Sequence, residues 1–377
     1  MDITKHIAQR VKTIPLGRQT SVAVPGLIGL SSGTPDFEPP EFIFEAMREA
    51  IDAKKASYTA WAGSPELRQA AATKLKRENQ LTFNPDNEIM VTSGAQEALV
   101  SVLMGTLDPG ENALIPTPHY GNYSDVARML GAELVTVPTT IDSNFTIDPD
   151  ALEASITPKT RMLIIVTPCN PTGTVIPEET LRRVAEVAVK NNLLVLSDEI
   201  YEHYVYGEHK HVSLASFPGM RERTIVLNSL SKGYALTGLR VGYVAAREEL
   251  IDAFMPFHHA MTICATSVAQ AGATVALEHP RDWFEPILQE YERRRGVWTT
   301  ALDQMGFPYC ELQGAYYVAF DISDTGLSAA EFSNRLREEG KVLMGNAGPT
   351  IMRGSLMQKS PLIEEGLERL ASFSRSL

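Results

Sequence analysis

Apolar and polar residues alternate along this chain in short blocks. Glu88–Thr92 (EIMVT) is a compact apolar run, and a helical spacing starts just behind it at Gly94. Asn112–Ile115 and Glu133–Val137 read as two further strands, the first followed by a Pro/Thr turn at 116–118. Met162–Thr167 (MLIIVT) is apolar throughout and runs into a proline-rich turn. Glu178–Asn191 puts apolar side chains at Leu181, Val184, Ala185, Val187 and Ala188, the one-sided stripe of an amphipathic helix. Leu193–Leu196, Thr224–Leu227 and Val241–Val244 complete the strand set. Strands that are apolar on both faces need cover on both faces. Their alternation with helices predicts an α/β large domain, with a mostly parallel (mixed) sheet between two layers of helices.

The pattern changes towards the C-terminus. Asp282–Met305 reads as a long helix carrying the charged cluster Glu292–Arg295. Tyr316–Phe320 and Ile351–Ser355 read as strands, Ala329–Glu339 as a helix, and a last helix starts near Ile363. This predicts a smaller α+β domain. We expect residues 40–275 to form the large domain and residues 1–39 with 276–377 the small one, the first 30 residues packing against the C-terminal part. No internal repeat or long linker interrupts the chain.

Composition narrows the function. At 377 residues the chain can bury a core that needs no disulfide staple. Cys169, Cys264 and Cys310 lie far apart and form no CxxC pair, which points away from a zinc ribbon, a redox motif or a secreted framework. The opening MDITKHIAQRVK has no apolar core of a signal peptide, and no apolar run of membrane-spanning length occurs. A net charge of −12 is a poor match to nucleic acid, whose phosphates need a basic surface. A cytoplasmic enzyme is the expectation.

In a parallel sheet the chemistry gathers at the carboxyl ends of the strands, so the residues after each apolar run matter most. After EIMVT come Ser93, Gly94, Ala95 and Gln96, which read as a capped helix start with Ser93 as N-cap and Gln96 completing a capping box. A helix start of this kind offers free N–H groups to an anion. After MLIIVT, Asn170-Pro171-Thr172-Gly173 makes a sharp turn and presents an amide. After LLVL, Asp198 sits where a carboxylate is costly unless paired. After TIVLN come Ser229, Ser231 and Lys232, with Arg240 eight residues beyond the lysine. A lysine in so uncharged a stretch (Thr224–Val244) is placed to be desolvated and nucleophilic. Ser229-x-x-Lys232 also fits the SxxK of serine acyl-transfer enzymes, but the partner motifs SDN and KTG are absent. No G-x-G-x-x-G follows a strand and no HExxH occurs. His203, His209 and His211 cluster around Tyr206-Gly207-Glu208, which reads as an exposed loop, and no metal is expected there.

Together these residues resemble the class I/II aminotransferases, fold-type I enzymes that use pyridoxal 5'-phosphate. The resemblance begins at Gly33-Thr34-Pro35-Asp36-Phe37, passes through Tyr58 and Gly63-x-x-x-Leu67-Arg68, and ends at Arg353 and the helix Ile363–Leu370. It implies that Lys232 holds the cofactor as an internal aldimine and shuttles the Cα proton. Asp198 would pair with the pyridinium nitrogen, while Asn170 and Tyr201 bond the ring's phenolic oxygen. Tyr120 would stack on the ring. The phosphate would rest on Gly94, Ala95 and Gln96, with Ser229, Ser231 and Arg240, and with Tyr58 reaching in from a second subunit of a homodimer. Arg353, with Asn170 and Gly33 close by, would hold the substrate α-carboxylate.

The implied reaction is transfer of an L-amino acid's amino group to a 2-oxo acid, ping-pong through pyridoxamine phosphate. The alternative on the same scaffold is a lyase or cyclase carrying out β- or γ-elimination. A non-catalytic binding protein of this fold has no support, because Lys232, Asp198 and Arg353 are all present. Two departures from the family, Gly354-Ser355-Leu356 after Arg353 and the glycine- and proline-containing segment Lys341–Thr350, are expected to bear on substrate choice. So is the region Thr13–Ile28. No second substrate-facing arginine is identifiable.

Overall fold

The computed structural model describes residues 3–8, 11 and 25–377. Its main sheet has seven strands: β2 (Ile89–Thr92), β3 (Asn112–Thr117), β4 (Glu133–Pro138), β5 (Thr160–Val166), β6 (Leu194–Asp198), β7 (Thr224–Ser229) and β8 (Gly242–Ala245). They lie in the order β2-β8-β7-β6-β5-β3-β4. Strand β8 runs antiparallel to both neighbours, and the other pairings are parallel.

The two-sided apolar strands find cover as expected, because successive side chains point to opposite faces. Met162 and Ile164 pack with Leu99, Val102 and Phe254, from helices α3 (Ala95–Thr106) and α8 (Glu248–Thr262). Leu163 and Ile165 face the other way, onto Leu181, Val184 and Ala188 of α6 (Glu178–Lys190). Helices α2 (Pro65–Asn79) and α9 (Ser267–Glu278) extend that second layer over Ile89, Val226 and Ala245.

A second, antiparallel sheet joins β9 (Tyr317–Asp321), β11 (Gly345–Asn346) and β12 (Ile351–Ser355) in the order β11-β12-β9. Helices α10 (Glu285–Met305) and α12 (Ser360–Ser374) pack with it through Trp298, Leu302, Leu370 and Phe373. The long helix expected from Asp282 starts with a 3-10 turn, Asp282–Phe284. Helix α11 (Ala329–Arg335) stops four residues before the expected Glu339, where the chain widens into a π turn. Strand β1 (Ile28–Gly29) pairs in parallel with β10 (Val342–Leu343), so this part of the N-terminal segment does reach the C-terminal part. For residues 12–24 the expected packing, and with it most of Thr13–Ile28, lies outside the described residues. Among the described residues no helix is long and apolar enough to cross a membrane.

Gly354 has a packing reason. A Cβ there would run into the indole of Trp298, which is fully buried on α10. The departure after Arg353 therefore makes room for a tryptophan in the core behind the arginine.

Candidate active site

The carboxyl ends of β2, β5, β6 and β7 converge on one cavity. Of the residues singled out from the sequence, Gly33, Ala95, Gln96, Tyr120, Asn170, Asp198, Tyr201, Ser229, Ser231, Lys232, Arg240 and Arg353 all line it. Tyr58 does not. It stands 77% exposed on a separate cleft with Lys55, Ser267 and Thr274.

The start of α3 is built differently from the expectation. Its N-cap is Gly94 at φ +80, not Ser93, and no side chain caps it. Gln96 is at the second helical position and accepts from Asn122 Nδ2 at 2.8 Å. Glu97 does the work expected of a capping box, its Oε2 accepting the Ser93 N–H at 3.0 Å. Glycine is required at 94 by its backbone and by Arg240, because a Cβ would lie 2.5 Å from Arg240 Nη2. The guanidinium thus lies beside the free N–H groups of the helix start, and among the described residues its one acceptor is the Thr237 carbonyl at 3.0 Å. Helix dipole and unpaired cation together favour an anion.

One helical turn, Leu230–Gly233, carries Lys232. Ser229 caps it by accepting the Ser231 N–H at 3.1 Å, and its hydroxyl lies 3.0 Å from Ser231 Oγ and 3.1 Å from the Val241 carbonyl. The Lys232 amine points elsewhere, donating to the Gly33 carbonyl at 2.6 Å. The serine therefore lacks a lysine base, which disposes of the acyl-enzyme reading. Burial, with Arg240 and Arg353 nearby, lowers the Lys232 amine to about 8, against the opposite pull of Asp198.

Asp198, the last residue of β6, is buried and has no ion-pair partner among the described residues. It accepts from the Tyr123 hydroxyl and from the Ile200 N–H. Burial pushes its carboxyl up to about 6, against those two hydrogen bonds. Tyr201 follows on the next turn, also buried, its hydroxyl 3.3 Å from that of Tyr317. Asn170 accepts from Arg353 Nη1 at 3.2 Å. Arg353 lies over the Tyr317 ring, 4.7 Å from its centroid, and its Nε is buried without a partner among the described residues.

Three tyrosines of this site, Tyr123, Tyr316 and Tyr317, went unread in the sequence. Tyr316 donates to the Gly33 carbonyl at 2.8 Å. Gly33 has no room for a side chain, since a Cβ would be 2.9 Å from Tyr317 Oη. The histidine reading also needs correction. His209 is partly exposed, but the side chains of His203 and His211 are only 13% and 7% exposed. His203 meets Glu78 and Glu202, and His211 meets Glu199. These groups come within metal-ligand reach of one another, but the ammonium of Lys74 already sits on Glu202.

An uncompensated buried carboxylate, a desolvated lysine, a helix start beside a free arginine, and a second arginine with an orphaned donor form a complementary set. They fit pyridoxal phosphate: an anion seat, a partner for a protonated ring nitrogen, and an amine for its aldehyde. Fold and site thus define a fold-type I pyridoxal-phosphate enzyme. The sequence matches the family Aminotransferase class I and II over residues 25–361, and the chain belongs to that family. It is 39% identical to an aspartate aminotransferase of Pyrococcus abyssi, covering 93% of this chain and 92% of that one. It is equally 39% identical to aromatic-amino-acid aminotransferase 2 of Thermococcus litoralis, over 92% and 91% of the two chains. The solved aromatic aminotransferase of Pyrococcus horikoshii superposes with a TM-score of 0.91 at 37% identity, over 97% and 98% of the chains. The protein is a pyridoxal-phosphate-dependent aminotransferase, which sets transamination above elimination or cyclisation.

Proposed function

We propose that Lys232, Asp198 and Tyr201 carry the transfer of an α-amino group from an L-amino acid to a 2-oxo acid. The observation that supports this best is the Lys232 amine, desolvated and lowered to about 8 in a cavity it shares with Asp198 and Arg353. Pyridoxal phosphate, when bound, supplies the electron sink for charge left at the substrate Cα. Lys232 anchors it and, once released, takes and returns the Cα proton. Asp198, as an anion, keeps the ring nitrogen protonated. Asn170 and Tyr201 hold the ring oxygen, and Tyr120 covers a ring face. The N–H groups of Gly94, Ala95 and Gln96, with Ser229, Ser231 and Arg240, hold the phosphate. Arg353 and Asn170 hold the α-carboxylate, and Gly33 lets it approach.

That assignment uses every cation lining the cavity among the described residues: Lys232, Arg240 and Arg353. The remaining wall includes Ile200 and Tyr317. This supports a substrate side chain without a second carboxylate. A dicarboxylic substrate is the second reading, favoured by the aspartate enzyme among the relatives.

Tyr58 is fully presented yet firmly based. Gln270 Nε2 donates to Thr59 Oγ1 at 3.0 Å, and Val91 N–H donates to the Ala62 carbonyl at 2.9 Å. Trp61 beside it is 56% exposed. An exposed aromatic pair on a fixed backbone supports a homodimer in which Tyr58 completes the partner's phosphate site. We read residues 40–275 as the large domain and 1–39 with 276–377 as the small one. Three free cysteines fit a cytoplasmic location.

The test is spectroscopic. Lys232→Ala is expected to lose the visible band of bound cofactor and at least about 100-fold in turnover. Ser229→Ala should only weaken cofactor retention. A Lys232→Ala protein that kept band and activity would remove the central assignment. Single L-amino acids added to the wild type identify the donor by bleaching the band; aspartate or glutamate as the best donor would overturn the preference for an uncharged side chain.

A further inference from the structure

His258 lies on α8, wholly buried and outside the cavity. Its Nδ1 is 3.2 and 3.1 Å from the two carboxylate oxygens of Glu97. Its Nε2 is 2.8 Å from the Trp61 carbonyl. An ionised carboxylate and a carbonyl can only accept, while a neutral imidazole carries one N–H. Both bonds form only if both ring nitrogens are protonated, so His258 sits there as a cation. Among the described residues the other side chain that reaches a ring nitrogen is Thr262 of the same helix, its hydroxyl 3.5 Å from Nδ1, and Glu97 is the charged group paired with the ring. Burial pulls the imidazole down, but the Glu97 bond, its charge and the Trp61 carbonyl outweigh it and hold it above its ordinary value.

Each partner leads to a different part of the proposed site. Glu97 holds the Ser93 N–H, which fixes the turn into Gly94 and so the direction of the N–H groups that open α3. Trp61 belongs to the segment that presents Tyr58, and its ring also lies against His259, 4.3 Å between centroids. We propose that His258 is a positioning residue that ties the seat for the cofactor phosphate to the segment each subunit offers its partner. The inference rests on the reading of Tyr58 given above. Loss of the imidazolium proton breaks one of the two bonds, so the tie holds below His258's raised value and fails as pH rises through it.

The test uses the holoenzyme, with His258→Gln and the double variant Glu97→Gln/His258→Gln. Cofactor dissociation is followed by the visible band on dilution, and self-association by sedimentation, both from pH 6 to 9. His258→Gln should weaken both at least about ten-fold at pH 7, as expected for losing a buried charge-assisted hydrogen bond. Wild-type affinities should fall together with rising pH, and the variant should lack that component. Lys232 titrates in both proteins, so their difference isolates His258. The double variant, whose amides can remake the bonds without charge, should recover affinity without the pH component, and it carries the test if the single variant fails to fold. A folded His258→Gln with unchanged constants overturns the proposal, as does one in which only cofactor retention changes. A monomeric wild type instead overturns the reading of Tyr58, which a Tyr58→Phe protein with unchanged cofactor retention would do independently.

Discussion

Lys232 and Asp198 are both displaced from their ordinary titration ranges, in opposite directions and chiefly by burial. For Lys232 the proton leaves as pH rises through about 8, so the neutral, reactive amine gains population between pH 6 and 9. The rate at which apoprotein captures pyridoxal phosphate in stopped flow should climb through that window and then level. Arg353→Gln removes one of the cations that oppose the ammonium and should move the midpoint upward; an unmoved midpoint would contradict the electrostatic cause. For Asp198 the carboxylate is lost as pH falls through about 6, so cofactor retention should weaken there. Asp198→Asn should remove that acid limb and lower turnover by about 10²–10⁴-fold. A variant that kept the acid limb would place its origin in another group.

Secondary-structure elements put these residues in place, and two glycines show how tightly. Gly94→Ala must bring a side chain to a positive φ and against the Arg240 guanidinium. It should cost about 1 kcal/mol or more in thermal unfolding and weaken phosphate binding as well. Gly354→Ala should cost about 1–3 kcal/mol in urea unfolding by crowding Trp298, and a wild-type midpoint would show that the indole can move aside.

The same scale shows what the sequence could reveal. The strands were legible because runs such as MLIIVT are apolar on both faces, and their ends gave Asp198, Asn170 and Lys232. Tyr123 and Tyr317 are not legible, because tertiary packing brings them to the site from α4 (Asn122–Leu130) and the second sheet, and Tyr316 is not, because it acts through the distant Gly33 carbonyl. Ser93 looked like a cap, but the backbone turn at Gly94 gave that place to the glycine and the carboxylate duty to Glu97. His203 and His211 flank an exposed turn, yet their rings fold back onto carboxylates contributed by distant or buried segments.

Across the whole molecule, one buried polar cluster joins three distant stretches. Lys74 of α2 pairs with Glu202, which also accepts from Asn228 Nδ2 at 2.6 Å. Asn228 in turn accepts the Ser229 N–H at 2.7 Å, just before the turn that carries Lys232. Burial opposes the charge on Glu202, but Lys74, His203 and His211 outweigh it and hold its carboxyl below the usual range. The stability this adds is full above the ordinary carboxylate range and is lost as pH falls through the lowered value. Lys74→Met leaves that carboxylate buried without its cation and should cost about 3–5 kcal/mol in urea unfolding at pH 7. A loss below about 1 kcal/mol would mean that the amides of Asn79 and Asn228, which also donate to Glu202, suffice to hold the carboxylate.

The Gly33 carbonyl receives two donors, the Lys232 amine and the Tyr316 hydroxyl. An amine that leaves for covalent chemistry and comes back each half-cycle needs somewhere to return to. The tyrosine stays when the lysine goes, so the carbonyl keeps its orientation and its second lone pair stays open. The resting place is thus rebuilt without any rearrangement of the chain around it. With Lys232 as the cofactor's anchor, its release and recapture would be a short swing of one flexible side chain, and the segment that follows β1 would serve as a dock rather than a moving part.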